Sequence, residues 1–262
     1  YIINASRGRR SRIPRYACLQ ETHCHLRKDA AKWGREWSPN KNDSLWSLGT
    51  NRSKGVAILF HPKLREAGIV ISNVKLDTNG RYIKLILTLG NCTFRLLNIY
   101  APNNERDRVN FFINLHDILK DDISEAENIA GGDWNCVMNS EIDRLNCLNS
   151  QDVGQIDLKY LSDTHDLEDI WRRRNPDKRE YTWQGRGKMS RIDMFLTSKS
   201  LNGQIQEVSH SHAPYTDHDS VSVSIRTNEL KRGRGMWKMN ASHILEEDYK
   251  EGLTELWRNW QL

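Results

Sequence analysis

The sequence predicts an α+β chain with largely antiparallel strands, and three observations carry that expectation. Four strand-like stretches follow one another at 55–60, 69–76, 82–89 and 93–100, and Gly90-Asn91-Cys92 is a compact hairpin connection between the last two. One segment, from about Glu105, repeats apolar residues at three- and four-residue spacing (Val109, Phe112, Ile113, His116), the period of an amphipathic helix. Several short apolar runs end in a polar or acidic side chain. The edges of buried strands are where α/β proteins place groups that meet metals and substrates.

In chain order, residues 1–15 lack periodicity and carry Arg7, Arg9, Arg10, Arg12 and Arg15. Tyr16-Ala-Cys-Leu-Gln20 is a short apolar run that delivers Glu21. Residues 25–37 suit a short helix, and 38–51 read as a Ser/Asn/Gly loop. After the four strands, Pro102 stops pairing and Asn103 or Asn104 is placed to cap the helix that follows. Tyr100 then stands at a strand end. Asn128-Ile-Ala-Gly-Gly-Asp-Trp-Asn135 is the stretch around which the chain is organised. Its glycines permit a sharp turn and close backbone approach. In an extended segment Asp133 and Asn135 would face one cleft, with Trp134 packed behind.

Further on, 142–150 reads as polar loop and 155–167 as an amphipathic helix. Residues 181–183 form a strand, 184–188 turn it as a hairpin tip, and 190–196 return with Asp193 inside. A buried acid there must be paired or solvated. Asp217 and His218 stand at the entrance to an alternating strand, 219–225. The last stretch, 227–262, turns basic and then helical, with a stripe that includes Trp237, Trp257 and Trp260, expected to dock on sequence outside this chain. A chain of 262 residues that begins with Tyr1 and shows no signal peptide reads as a piece of something longer. Five cysteines without a C-x-x-C pair point to free thiols and a reducing compartment.

The formal charge is +5, which by itself only permits a polyanionic partner. Its clustering is more informative: the N-terminal arginines, Arg172–Arg174, and the group Arg186, Lys188 and Arg191 favour a phosphate backbone. Taken together, the strand ends offer Glu21, Tyr100, Asp133, Asn135, Asp193, Asp217 and His218. That set suits metal-assisted hydrolysis better than nucleophilic catalysis, since no Ser or Cys has an evident activating partner. A carboxylate can orient or deprotonate a water, an amide N–H can stabilise developing charge, and hard oxygen ligands suit Mg²⁺ or Mn²⁺.

Leu19-Gln-Glu-Thr-His23, Asn98-Ile-Tyr-Ala-Pro102, Gly131-Gly-Asp-Trp-Asn135, Ser190-Arg-Ile-Asp193 and Tyr215-Thr-Asp-His-Asp219 resemble the successive motifs of the endonuclease/exonuclease/phosphatase superfamily. Their wording, with Trp237-Lys-Met-Asn after a basic stretch, is most similar to the endonuclease domain of non-LTR retrotransposons of the long-interspersed-element kind. The resemblance covers about residues 16–226. It implies a four-layer α/β sandwich of two mostly antiparallel sheets with outer helices, and a domain at 1–226 followed by a linker at 227–262 towards a reverse transcriptase.

It also implies roles. Glu21 would be the main metal ligand, with Asp217 near the metal, here Mg²⁺ or Mn²⁺. Asp133 would orient and deprotonate water, Asn135 would hold the scissile phosphate, and Tyr100 would bond a phosphate oxygen. Asp193 would polarise His218. Thr182 would touch DNA backbone, and Asn4, Arg186, Lys188, Arg191 and Thr216 join it as expected DNA contacts. The implied reaction nicks one strand of double-stranded DNA and leaves a 3′-hydroxyl primer for a reverse transcriptase, in the nucleus.

Two departures stand out. Thr216 replaces the family's serine but keeps the hydroxyl. Asn4 precedes Glu21 by only 17 residues (21 − 4), too few for a loop, a helix and a strand, so the first helix is expected to be missing. An impaired nucleic-acid-binding remnant and an apurinic repair endonuclease are the competing readings.

Overall fold

A computed structural model describes residues 3–4, 16–120, 126–147, 151–213, 216–226 and 251. The chain divides into a unit at Tyr1–Glu229 and a second at Leu230–Leu262. The N-terminal arginines, Tyr215 and the expected C-terminal aromatic helix lie outside the described residues.

The first unit starts with β1 (Ile3–Asn4), β2 (Tyr16–Leu19), helix α1 (Arg27–Trp37), β3 (Ser44–Ser47) and β4 (Val56–Phe60). A short helix α2 (Pro62–Glu66) precedes a meander of β5 (Val70–Leu76), β6 (Tyr82–Leu89) and β7 (Cys92–Tyr100). Then come α3 (Glu105–Leu119), β8 (Glu127–Asp133), β9 (Arg144–Leu145), α4 (Gln155–Thr164), β10 (Leu167–Asp169) and α5 (Ile170–Arg174). The remainder is β11 (Trp183–Gly185), β12 (Lys188–Ser190), β13 (Asp193–Ser198), β14 (Ile205–Ser211) and β15 (Ser220–Ile225).

Two six-stranded sheets result, ordered β14-β15-β1-β2-β4-β3 and β10-β13-β8-β7-β6-β5, with a small three-stranded sheet β11-β12-β9 beside them. Pairing is antiparallel except between β1 and β15 and between β7 and β8. The large sheets pack face to face: β2 meets β8, β4 meets β6 and β7, and β13 meets β15. On the outer face of the second sheet, Phe112 and Leu115 of α3 and Leu158 and Leu161 of α4 join Leu97, Ile99, Ala130 and Trp134 in one buried cluster. On the outer face of the first, Trp37 of α1 and Trp46 pack on Ala17, Ala57 and Leu59. This is the expected four-layer α/β sandwich.

Local chemistry explains the better-read elements. Asn104 caps α3 by accepting from Asp107 N at 3.1 Å. Lys84, fully buried in β6, donates to Ile118 O at 2.6 Å and so ties the last turn of α3 to the sheet. Between the sheets, the buried Asn98 of β7 donates to Leu19 O and Ala57 O and accepts from Gln20 Nε2, bridging one sheet to the other.

Several expectations are corrected. The 38–51 loop contains β3, a four-residue edge strand hidden by its serines. The expected helix 155–167 ends at Thr164, because Asp166 turns left-handed (φ 50°) and Leu167 enters β10. The single returning strand at 190–196 is two strands in different sheets, broken at Arg191 and Ile192. There Arg191 N donates to Asp143 O, and Ile192 N turns to Thr182 Oγ1.

Candidate active site

At one end of the sandwich a cleft of about 700 Å³ is lined by Glu21, Asp133, Asn135, Trp183, Arg186, Lys188, Asp217 and His218, and by Arg108, Arg144 and Asp152. Residues from both large sheets and from the small hairpin sheet converge there.

Asp133 is the last residue of β8, inserted between β7 and β13. The approach is close: a Cβ on Gly132 (φ +144°) would lie 2.0 Å from Ile99 O, and one on Gly131 would strike the Phe195 ring at 2.5 Å. The paired glycines therefore lie inside the strand, and the turn comes after it, at Asn135 (φ 47°). Asp133 makes that turn by accepting from Asn135 N at 2.8 Å. Asn135 Nδ2 donates to Ala101 O at 2.9 Å and to Asp133 Oδ2 at 3.3 Å, so its amide hydrogens already have partners within the protein. Asp133 and Asn135 do line one cleft, with Trp134 fully buried against Phe112, but through a left-handed turn and not an extended strand.

Across from Asp133, Asp193 opens β13 in register with it. His218 Nδ1 lies 2.9 Å from Asp193 Oδ2, and His218 stands two residues before β15 of the other sheet. Ligand atoms of Asp133, Asp193 and His218 all fall within 4.8 Å of one another. Burial pushes the Asp133 carboxyl up to about 7, helped by the charge of Glu21. Burial and the neighbouring Asp133 push Asp193 well up too. Burial pushes His218 down, to about 3. Asp193 Oδ1 is buried without a hydrogen-bond partner.

Glu21 follows β2 in a left-handed conformation (φ 50°), held by Thr22 N and His23 N donating to Gly55 O and Lys54 O. The Tyr100 hydroxyl donates to Glu21 Oε1, linking a residue of each sheet. Burial, then the Glu21 bond, push the Tyr100 hydroxyl up, so it remains a donor. Arg81 stacks over the Tyr100 ring at 4.9 Å and donates to Ala101 O, the carbonyl that Asn135 also uses.

The site fits a divalent cation. Two buried carboxylates beside a histidine, one with an orphaned oxygen, form a donor set whose mutual repulsion a cation would relieve. This close trio differs from the expected metal pair of Glu21 and Asp217, both of which line the same cleft.

Of the expected DNA contacts, Arg186 and Lys188 are exposed on the cleft-lining hairpin. Arg186 and Gly187 both have positive φ, as a two-residue hairpin turn of type I′ requires. Thr216 is exposed and accepts from His218 N at 3.3 Å. Asn4 sits in β1 opposite Ala17 and Ser222.

Two expected contacts are corrected. Arg191 is fully buried, bonded to Asp143 Oδ1 and Asp169 Oδ2 at 2.8 and 2.6 Å, and is part of the core. Thr182 is also buried; its Oγ1 accepts from Ile192 N and Asp193 N, so it positions Asp193 and has no face for DNA. The side chains of Arg172, Arg173 and Arg174 bond within the chain, to Asp143, Glu168 and Ile205 O, although Arg173 and Arg174 stay exposed. Sequence reasoning missed Arg81 and Trp183, whose Nε1 donates to Asp217 Oδ2 at 2.9 Å. Trp183 carries no signal beyond adjacency to Thr182, and Arg81 carries none.

Residues 16–218 match the Endonuclease/Exonuclease/phosphatase family. The chain belongs to that family. A curated relative, the transposon TX1 uncharacterized 149 kDa protein of Xenopus laevis, is 28% identical over 247 residues, covering 93% of this chain and 18% of that protein. The chain thus spans under a fifth of the relative's length. Among solved structures, an AP endonuclease from Archaeoglobus fulgidus matches with a TM-score of 0.65 and 18% identity, covering 82% of this chain and 90% of that one. A 3′-5′ exonuclease from Neisseria meningitidis matches with a TM-score of 0.63 and 20% identity, covering 81% and 89%. At these identities the two structures speak for the fold.

Proposed function

We propose that the chain is a DNA endonuclease that uses Mg²⁺, or Mn²⁺, to nick one strand of a duplex and leave a 3′-hydroxyl. The observation that carries this reading is the close grouping of Asp133, Asp193 and His218, facing Glu21 in a cleft whose hairpin wall presents Arg186 and Lys188. Membership of the family and likeness to a transposon protein support a DNA substrate over a small phosphate ester.

Asp133, buried at the end of β8 and held by Asn135 N, is placed to orient and accept a proton from water in the cleft. The phenolic hydroxyl of Tyr100 is a donor for a phosphate oxygen in place of Glu21. With Asp193 pushed well up and His218 pushed down, the neutral pair has Nδ1 accepting from the protonated Asp193 carboxyl, which leaves the ring proton on Nε2 to donate to phosphorus-bound oxygens as their charge develops. Glu21 and Asp217, which line the same cleft beside this trio, are the carboxylates from which the cation would first take its ligands. When bound, the cation would neutralise phosphate charge and lower the pKa of water.

The same reading makes the nick a primer for a reverse transcriptase in the parent polyprotein, acting on chromosomal DNA in the nucleus. Supercoiled plasmid tests it: conversion to the relaxed circle with Mg²⁺, none with EDTA, and polymerase extension from the nick are expected. Relaxation that persists in EDTA, or nicks that no polymerase extends without prior end repair, would overturn it.

A further inference from the structure

We infer that Trp183 is a positioning residue that fixes the Asp217 carboxylate and couples the cleft-facing hairpin to the Asp217–His218 segment. The inference rests on the nuclease reading of the cleft. Asp217 is exposed, and a carboxylate in that setting ordinarily samples several rotamers. Here the indole N–H of Trp183, a donor with a single direction, holds its Oδ2 at 2.9 Å. One oxygen is committed to the hairpin, and the other is left for a ligand in the cleft.

The indole is itself held from several sides. Its backbone forms a bridge with His218, and the next residue's amide, Gln184 N, donates to Asp217 O at 2.9 Å. The ring meets the His218 imidazole edge-on, with centroids 6.5 Å apart and planes at 65°. On the hairpin side it lies against Gly185, where an added Cβ would come within 2.7 Å of Trp183 Cζ2. Only glycine at 185 leaves room for this ring position. Immediately upstream, Thr182 O accepts from Asp219 N, and Thr182 Oγ1 accepts from Asp193 N. Residues 182–184 therefore touch both partners of the Asp193–His218 pair and Asp217 as well. Displacement of the turn at Arg186 and Gly187 by a bound duplex is transmitted through this short stretch to Asp217.

The test combines Trp183→Phe, which keeps a ring and removes the N–H, with Asp217→Ala, which removes the acceptor, and the double variant. Mn²⁺ binding to the free protein is followed by electron paramagnetic resonance, and nicking is followed on plasmid. Trp183→Phe is expected to weaken Mn²⁺ binding and lower kcat by about tenfold each, the usual effect of losing a group that orients a ligand. KM for DNA and the melting temperature should stay near wild type. In the Asp217→Ala background the same substitution should add nothing, since Trp183 acts through Asp217. Wild-type Mn²⁺ affinity and kcat in Trp183→Phe, or an equal loss with and without Asp217, would overturn the inference. If Trp183→Phe lowers the melting temperature, Gly185→Ala decides: it displaces the indole and should reproduce both losses, and wild-type values in it would overturn the inference. A wild-type protein that binds Mn²⁺ without nicking refutes the nuclease reading, and the Mn²⁺ comparison still decides the role of Trp183.

Discussion

His218 Nδ1 and Asp193 Oδ2 stand 2.9 Å apart although one residue leads into β15 of the first sheet and the other opens β13 of the second. An acid that orients a histidine fixes its tautomer, so the pair should act as a unit. Asp193→Asn and His218→Ala are each expected to lower kcat by about 10²–10⁴. The double variant should be little worse than either single one. Multiplying losses, measured by plasmid nicking with folded variants, would show that the two act separately.

The hairpin should govern where the duplex is cut. Arg186 and Lys188 are exposed at its tip, and a cationic side chain there can read a narrow, A·T-rich minor groove by its potential. Replacing residues 184–188, apart from Gly185, is expected to redistribute nick sites on a sequencing ladder while leaving kcat on preferred sites within a fewfold of wild type. An unchanged ladder would argue that the hairpin has no part in site choice.

Arg191 belongs to stability. Its guanidinium, fully buried beside the Trp171 ring, satisfies Asp143 and Asp169. Arg191→Met keeps much of the volume and removes the guanidinium that two buried acids share, leaving Asp143 only Arg172 and Asp169 no cation, a change of about 3–5 kcal/mol. Chemical denaturation should show that loss. A variant that is fully stable yet binds DNA poorly would restore Arg191 to the DNA-facing surface.

His210 gives the fold a pH dependence. Its side chain is 2% exposed, stacks on Trp171 at 4.6 Å, and lies 3.1 Å from Glu180. Burial pushes it down to about 4, with Arg191 adding to that and Glu180 opposing it. A histidine lowered on folding contributes stability that is present above its unfolded value, near 6.5, and is lost as pH falls towards 4. Over that window His210 should reduce stability by up to about 1.4 kcal/mol per pH unit. His210→Phe should flatten the slope there relative to wild type, as read from urea midpoints. Identical slopes would assign the pH dependence to carboxylates elsewhere.

The legible parts of the chain were those where one local rule decides. The hairpin between β6 and β7, the Asn104 cap and the Gly-Gly approach to Asp133 each follow from residues within a few positions of one another. So do several of the cleft-lining side chains near strand ends, once motif wording orders them. What the sequence hid depends on partners far along the chain. Arg191 and Arg186 are five residues apart and equally basic, and only Asp143 and Asp169, 48 and 22 residues away, draw one of them into the core. Thr182 resembles a surface hydroxyl until Ile192 N and Asp193 N are seen to need an acceptor. The left-handed turn at Asn135 was hidden too, because a strand and a turn can aim the same pair of side chains.

The amide of Asn98 is bonded to Leu19 O, Gln20 Nε2 and Ala57 O, while two residues further along its strand Tyr100 reaches Glu21, the neighbour of Gln20. Sliding of one sheet past the other would therefore separate these two side chains while leaving each sheet's own strand pairing whole. Catalysis then reports on the alignment of the layers, whereas circular dichroism counts strands. Mild urea should silence the enzyme at concentrations where its far-ultraviolet spectrum is still that of the native protein, and an Asn98→Leu variant should widen the gap between the two midpoints.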